Sequence, residues 1–129
     1  MSEDGPVVLD ASAVLAYLQA GTGWERVETV LVGALMSTVN FSEVLAKVAE
    51  RGGQPAAVDQ QLRPQLELVP FSAGHALAAA VLRPLTRHLG LSLEDRACLT
   101  LGLERGANVL TTDKAWTGLD PSYRVEVLR

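Results

Sequence analysis

Cysteine occurs once, at Cys98, so no disulfide can form within the chain. Its place in an apolar helical pattern marks the thiol as packing, not as a nucleophile. No apolar run approaches the roughly 20 residues of a membrane-spanning helix, and the acidic start Met1-Ser2-Glu3-Asp4 lacks the basic opening of a secretory signal peptide. A cytoplasmic protein without membrane association is the expectation. No glycine-rich phosphate loop follows the first apolar segment, which counts against a nucleotide-binding module. Basic residues are in deficit, 11 Lys and Arg against 15 Asp and Glu, and the formal charge is −4. Aromatics make up only 5% of the chain, and none alternate with basic residues. A broad cationic surface and a base-stacking platform are therefore both absent. Any phosphate chemistry must rest on a local device, and carboxylates loaded with divalent cations reverse the charge where they sit.

What is present is an ordinary globular composition, 48% apolar and 20% charged, too apolar for a disordered tail. The 129 residues suit one domain spanning 1–129. Pro6-Val7-Val8-Leu9 reads as a strand ending at Asp10, and helical spacing follows over 13–18. After the Gly21-Thr22-Gly23 break, Trp24, Val27, Val30 and Leu31 fall on one helix face. A short buried strand over 34–38 leads into a helix over 39–51, ended by Gly52-Gly53, and a further helix is predicted over 55–66. A strand end at 68–71 precedes a helix capped by Ser72 that runs to about His88, with Pro84 predicted to kink it. Ser92 caps the next helix, which Gly106 stops; strands are predicted at 108–112, ending at Asp113, and at 124–128. Short strands alternating with longer helices predict the α/β class: a parallel sheet of four or five strands between two helical layers.

Four acids carry the chemistry, and each has an ordinary structural explanation. Asp10 and Asp113 can cap helical turns. Asp95 stands three residues after Ser92, the spacing of a capping box. Glu43 can pair with Lys47 on a solvated helix face. Their common position is what distinguishes them: Asp10 and Asp113 follow strands, while Glu43 and Asp95 sit in the first turns of helices. In a parallel sheet those points share the edge beyond the carboxyl ends of the strands, where open α/β folds bind ligands. Carboxylates converging there repel one another, and a cation is their natural partner. With Ser12, Asn40 and Thr112 as neutral supplements, all the donors are oxygens, which favours Mg²⁺ or Mn²⁺ over zinc. His75 and His88 stand away from these points and read as surface or partly packed residues.

The segments Val8-Leu9-Asp10-Ala11-Ser12-Ala13, Asn40-Phe41-Ser42-Glu43, Leu91-Ser92-Leu93-Glu94-Asp95-Arg96-Ala97 and Leu110-Thr111-Thr112-Asp113-Lys114-Ala115-Trp116 together resemble the PIN-domain nucleases, and in particular the VapC toxins of bacterial toxin–antitoxin pairs. The resemblance runs along nearly the whole chain. It implies a three-layer α/β/α domain and a metal-dependent endoribonuclease with Asp10, Glu43, Asp95 and Asp113 as its acids. Ser12, Asn40 and Thr112 are then polar supports. It also implies an RNA substrate, a homodimer and a small antitoxin partner that inhibits the enzyme. Adjacent helical positions point about 100° apart, so Glu94 and Asp95 are not expected to face one metal, and the family pattern favours Asp95. Asp10 and Asp113 are the first candidates for direct ligands, Asp95 completes the shell, and Glu43 orients or deprotonates the attacking water. Arg96 and Lys114 are candidates for the substrate rim; Lys47 and Arg51 follow the acids too, but read more simply as a solvated face. Trp24 and Trp116 are expected to be packed. The apolar residues over 24–35 are expected to bury against the sheet, with a second subunit or an antitoxin as the other occupants.

Rival readings are weaker. A phosphatase with an aspartyl nucleophile at Asp10 needs a second Asp two residues later, where Ser12 stands. A receiver-like domain needs paired acids near the N-terminus, which are missing. The alternative that remains is a catalytically silent PIN-like domain serving as a protein-interaction or RNA-binding module, whose mark would be a lost acid.

Overall fold

The structure, a computed structural model, describes residues 5–129; the acidic start at 1–4 lies outside the described residues. Val7, Val8 and Leu9 are β-branched or apolar and are all buried, as a central parallel strand requires. In chain order the elements are β1 (Val7–Leu9), α1 (Ala11–Gln19), α2 (Trp24–Val30), β2 (Leu35–Ser37), α3 (Thr38–Glu50), α4 (Pro55–Leu62), β3 (Glu67–Val69), α5 (Ala73–Thr86), α6 (Leu93–Arg105), β4 (Asn108–Thr111) and β5 (Val125–Val127). Short 3₁₀ turns occupy Arg87–Leu89, Lys114–Gly118 and Pro121–Tyr123. The five strands form one sheet in the order β3-β2-β1-β4-β5, and every pairing is parallel.

Alternation along the strands divides the core in two. Val7, Leu9, Met36 and Leu110 face one way and pack on α1 to α4 through Val14, Val27, Val44 and Leu62. Val8, Leu35, Val69 and Val109 face the other way and meet α5 and α6 through Leu82, Cys98, Leu99 and Leu101. This is the expected three-layer α/β/α arrangement. Val27, Val30, Leu31 and Ala34 are buried within the chain, so the apolar face of this segment packs on the sheet that Leu35 enters; of its apolar residues only Val32 is strongly exposed. Among the described residues no helix is long and apolar enough to cross a membrane.

Departures from the predicted boundaries have local causes. α4 stops at Leu62, because Pro64 has no N–H to continue the ladder. Pro84 lies in the last turn of α5, which passes through it to Thr86 before tightening into the 3₁₀ turn. α6 approaches β4 closely at Gly102, where a Cβ would stand 2.5 Å from Val109 Cγ2.

Gly102→Ala should therefore lower stability despite a helix-propensity gain of about 1 kcal/mol, since overpacking costs about 1–3 kcal/mol. Gly74→Ala in α5, whose nearest neighbour would be Ser72 Oγ at 3.7 Å, should not lower it. Thermal unfolding of the two variants checks the contrast; equal shifts in both would contradict the tight α6–β4 contact.

Candidate active site

The chain builds outward from β1 through β2 to β3, then returns to add β4 and β5 on the other side of β1. Where that direction reverses, the connections leaving β1 and β4 diverge and a crevice opens beyond the carboxyl ends of the strands. Asp10 leaves β1 at this point, and Asp113 follows β4 by two residues. The first turns of α3 and α6 reach the same place and are tied together there, with Asn40 Nδ2 donating to the Glu94 carbonyl oxygen at 2.9 Å. The result is a cleft of about 200 Å³ lined by Asp10, Ser12, Asn40, Glu43, Asp95 and Asp113, with Lys47 beside them. All four acids selected from the sequence line it, each from a different segment.

Asp10 is 6% exposed, and its carboxylate is held on both oxygens. Oδ1 accepts from Ser12 Oγ at 2.7 Å and from the Ala13 N–H at 2.8 Å, and Oδ2 accepts from Thr111 Oγ1 at 2.5 Å. Burial raises its pKa to about 6, the three hydrogen bonds pull it back, and the Asp95 charge adds to the rise. Glu43 is half-buried, and its pKa is raised first by burial and then by Glu94, Asp95 and Asp10, with Lys47 opposing. Asp95 does form the capping box: Oδ2 accepts from the Ser92 N–H at 3.0 Å, and its own N–H donates to Ser92 Oγ at 3.1 Å. Capping commits only Oδ2, so the ordinary role and a place in the cleft coexist. Asp113 is exposed, with Oδ1 taken by the Ala115 N–H at 2.9 Å. Glu94 turns away into a neighbouring hollow with Glu43 and Ser42, as the helical angle requires.

The polar supports are redistributed. Thr112 gives the acids only its backbone, its N–H donating to Ser12 Oγ at 2.9 Å. The threonine hydroxyl on Asp10, beside that of Ser12, belongs to Thr111, which is fully buried and also accepts the Asp113 N–H at 3.1 Å. Sequence reasoning missed Thr111, yet the strand register pairs Leu9 with Leu110, so the next residues, Asp10 and Thr111, stand opposite. Asn40 is 1% exposed, and its Oδ1 finds no hydrogen-bond partner. Arg96 is not on the rim: it is 7% exposed, and its Nη1 donates to the Ala79 carbonyl oxygen at 2.9 Å, inside the α5–α6 packing. Lys114 and Arg51 line a hollow that shares Ser12 with the acid cleft, while Lys47 enters the cleft itself.

Other reactive groups lie elsewhere. His75 is buried outside the cleft with Nε2 2.9 Å from Glu104 Oε2, and His88 is exposed. Burial pushes the Cys98 pKa well above its ordinary value, which keeps it a thiol. Trp116 is buried and Trp24 half-buried.

The acids in the cleft offer oxygen donors, and Asn40, whose Oδ1 has no hydrogen-bond partner, lines the same cavity. That chemistry fits a hard divalent cation. Among the described residues no three of the His, Cys, Asp and Glu side chains stand close enough together to form a metal-binding group as they are placed.

Residues 7–120 match the family model of the PIN domain. The chain belongs to the PIN-domain family. No curated protein matches the sequence at a significant level. Solved structures similar to this PIN domain include a toxin–antitoxin complex from Klebsiella pneumoniae, at 18% identity and TM-score 0.73, covering 94% of this chain and 96% of that one. VapBC2 from Rickettsia felis, bound to a promoter DNA fragment, has 17% identity and TM-score 0.73, covering 95% and 98%. VapBC-5 from Mycobacterium tuberculosis has 20% identity and TM-score 0.64, covering 96% and 98%. At such identities the likeness is one of fold, and it spans the full PIN domain.

Folding raises the pKa of Asp10 from its ordinary value of 3.8 to about 6. Between those values the folded state holds more protons, so stability falls as pH rises from about 4 to about 6, by roughly 3 kcal/mol in all. Without metal, Asp10→Asn should melt several degrees above the parent at pH 7.5, and the gap should close towards pH 4. A gap that does not change with pH would refute this.

Proposed function

We propose that this PIN domain is a metal-dependent endoribonuclease that hydrolyses RNA phosphodiester bonds, and that it is the VapC-type toxin of a toxin–antitoxin pair. The observation that carries this reading is the convergence of Asp10, Glu43, Asp95 and Asp113 on one cleft at the switch point of the sheet. Asp10 and Asp113 would hold Mg²⁺ or Mn²⁺, with Asp95 completing the set or acting through water. When bound, the ion lowers the pKa of a water and neutralises charge on the phosphate oxygens.

The remaining work falls to the chain's own groups. Ser12, the Ala13 amide and Thr111 fix the plane of the Asp10 carboxylate before anything binds. Glu43 has a raised proton affinity, so it is suited to take the proton of the attacking water. Lys47 beside it limits that rise and offers a positive charge to the substrate. Asn40 Oδ1 is a free acceptor for a water in the cleft. Attack by water, not by the ribose 2′-OH, leaves 5′-phosphate and 3′-hydroxyl ends.

A protein partner is supported by the exposed apolar stripe of Leu77, Val81 and Leu85 on α5, with Leu103 beside it. We infer a homodimer and an inhibitory antitoxin, in a cytoplasmic protein. The silent-module alternative loses ground because no acid of the four is missing.

Cleavage of a panel of structured and single-stranded RNAs with Mg²⁺, Mn²⁺ or EDTA tests the nuclease. Metal-dependent cutting should fall more than about a hundredfold in Asp10→Asn and Asp113→Asn, and Thr111→Val, which removes an outer partner of Asp10, should cost about 10–100-fold. Cyclic 2′,3′-phosphate products, or cutting that persists in EDTA, would exclude the mechanism.

A further inference from the structure

The acid cleft has two unlike neighbours. On one side lies a hollow of about 450 Å³ along α1, which shares Ser12 and Leu15 with the cleft and is lined by Arg51, Lys114 and Thr112. On the other lies a hollow of about 480 Å³ with Glu43 and Glu94, and no cation lines it. In a chain of net charge −4 this asymmetry is informative. Arg26, Arg63 and Arg105 are committed to ion pairs, and Arg96 is buried, whereas Arg51 and Lys114 enter no ion pair among the described residues. The Thr112 hydroxyl, which the sequence assigned to the acids, makes no hydrogen bond among the described residues and lines this hollow too. An arginine fork, an ammonium and a free hydroxyl together form a receptor for a phosphate diester.

We infer that this hollow is a subsite for the RNA backbone on one flank of the cut, with Arg51 and Lys114 holding the next phosphates. The opposite hollow repels phosphate, so the strand is held from one side and its direction across the acids is fixed. Ser12 to Gln19 along α1 spans about 10 Å at 1.5 Å per residue, so the subsite extends beyond the scissile linkage. Arg51 and Lys114 act on binding and alignment and touch no reacting atom.

This rests on the nuclease reading, and the experiment separates the two. An RNA oligonucleotide cut at one place is used with the parent chain, Arg51→Gln, Lys114→Gln, the double variant, and Arg83→Gln on α5 as a control. Each single change should raise KM about 3–10-fold with kcat within about twofold, and should lower the slope of log KM against log salt by about 0.7. Arg83→Gln should do neither. Neutral methylphosphonate linkages placed along the oligonucleotide should raise KM on one flank only, and that effect should vanish in the double variant. Unchanged KM and salt slope in the double variant, or equal sensitivity on both flanks, would overturn the subsite. Should the parent cut no RNA, anisotropy of the labelled oligonucleotide in EDTA still decides the point: weaker binding by the double variant supports the subsite, and equal binding overturns it.

Discussion

A negative charge buried at the carboxyl end of the central strand is the constraint around which this molecule is organised. Asp10 stands where water is excluded, so its charge is costly unless donors reach it. Three do, from two structural commitments: Ser12 and Ala13 from the first turn of α1, and Thr111 from the neighbouring strand. The third exists only if β4 pairs with β1 in the observed register. Strand order, register and acid orientation are thus one problem with one solution. Even so, the donors do not offset the burial, and the carboxyl retains a pKa of about 6. A cation bound as proposed would relieve that residual cost and so link the stability of the fold to the occupancy of the cleft.

The overall acidity of the chain becomes intelligible on the same terms. A nuclease is expected to be cationic wherever it meets phosphate, and this one is not cationic on the whole. Its charges are sorted by position. Acids concentrate in the cleft where a divalent ion is proposed to bind, Lys47 stands among them, and Arg51 and Lys114 line the hollow on one flank. The opposite flank keeps Glu94 against Glu43, and the pKa of Glu43 rises partly for that reason.

The layered fold and the acid set were legible in the sequence because both are local signals. Short β-branched runs next to helical periodicity reveal a parallel sheet, and Asp10 directly after β1 and Asp95 in the first turn of α6 are placed by the fold itself; Glu43, expected in a first turn, stands in the second turn of α3 because that helix begins at Thr38. What depended on distant pairing was not legible. Thr111 and Thr112 are equivalent by type, and only the register between β1 and β4, a contact across 101 residues, says which hydroxyl meets Asp10. Arg96 follows Asp95 as closely as Lys114 follows Asp113, but the helix turns it by about 100° into α5. Lys47 and Arg51 are both exposed, as a solvated face requires, but only the packing of α3 against α1 shows that one lines the acid cleft and the other the basic hollow.

The most direct test of the buried charge is an NMR titration of the Asp10 carboxyl carbon, in EDTA and in saturating Mg²⁺. The account predicts a metal-free midpoint near 6 and a clear drop when Mg²⁺ is present. A metal-free midpoint near the ordinary aspartate value, unmoved by Mg²⁺, would contradict it.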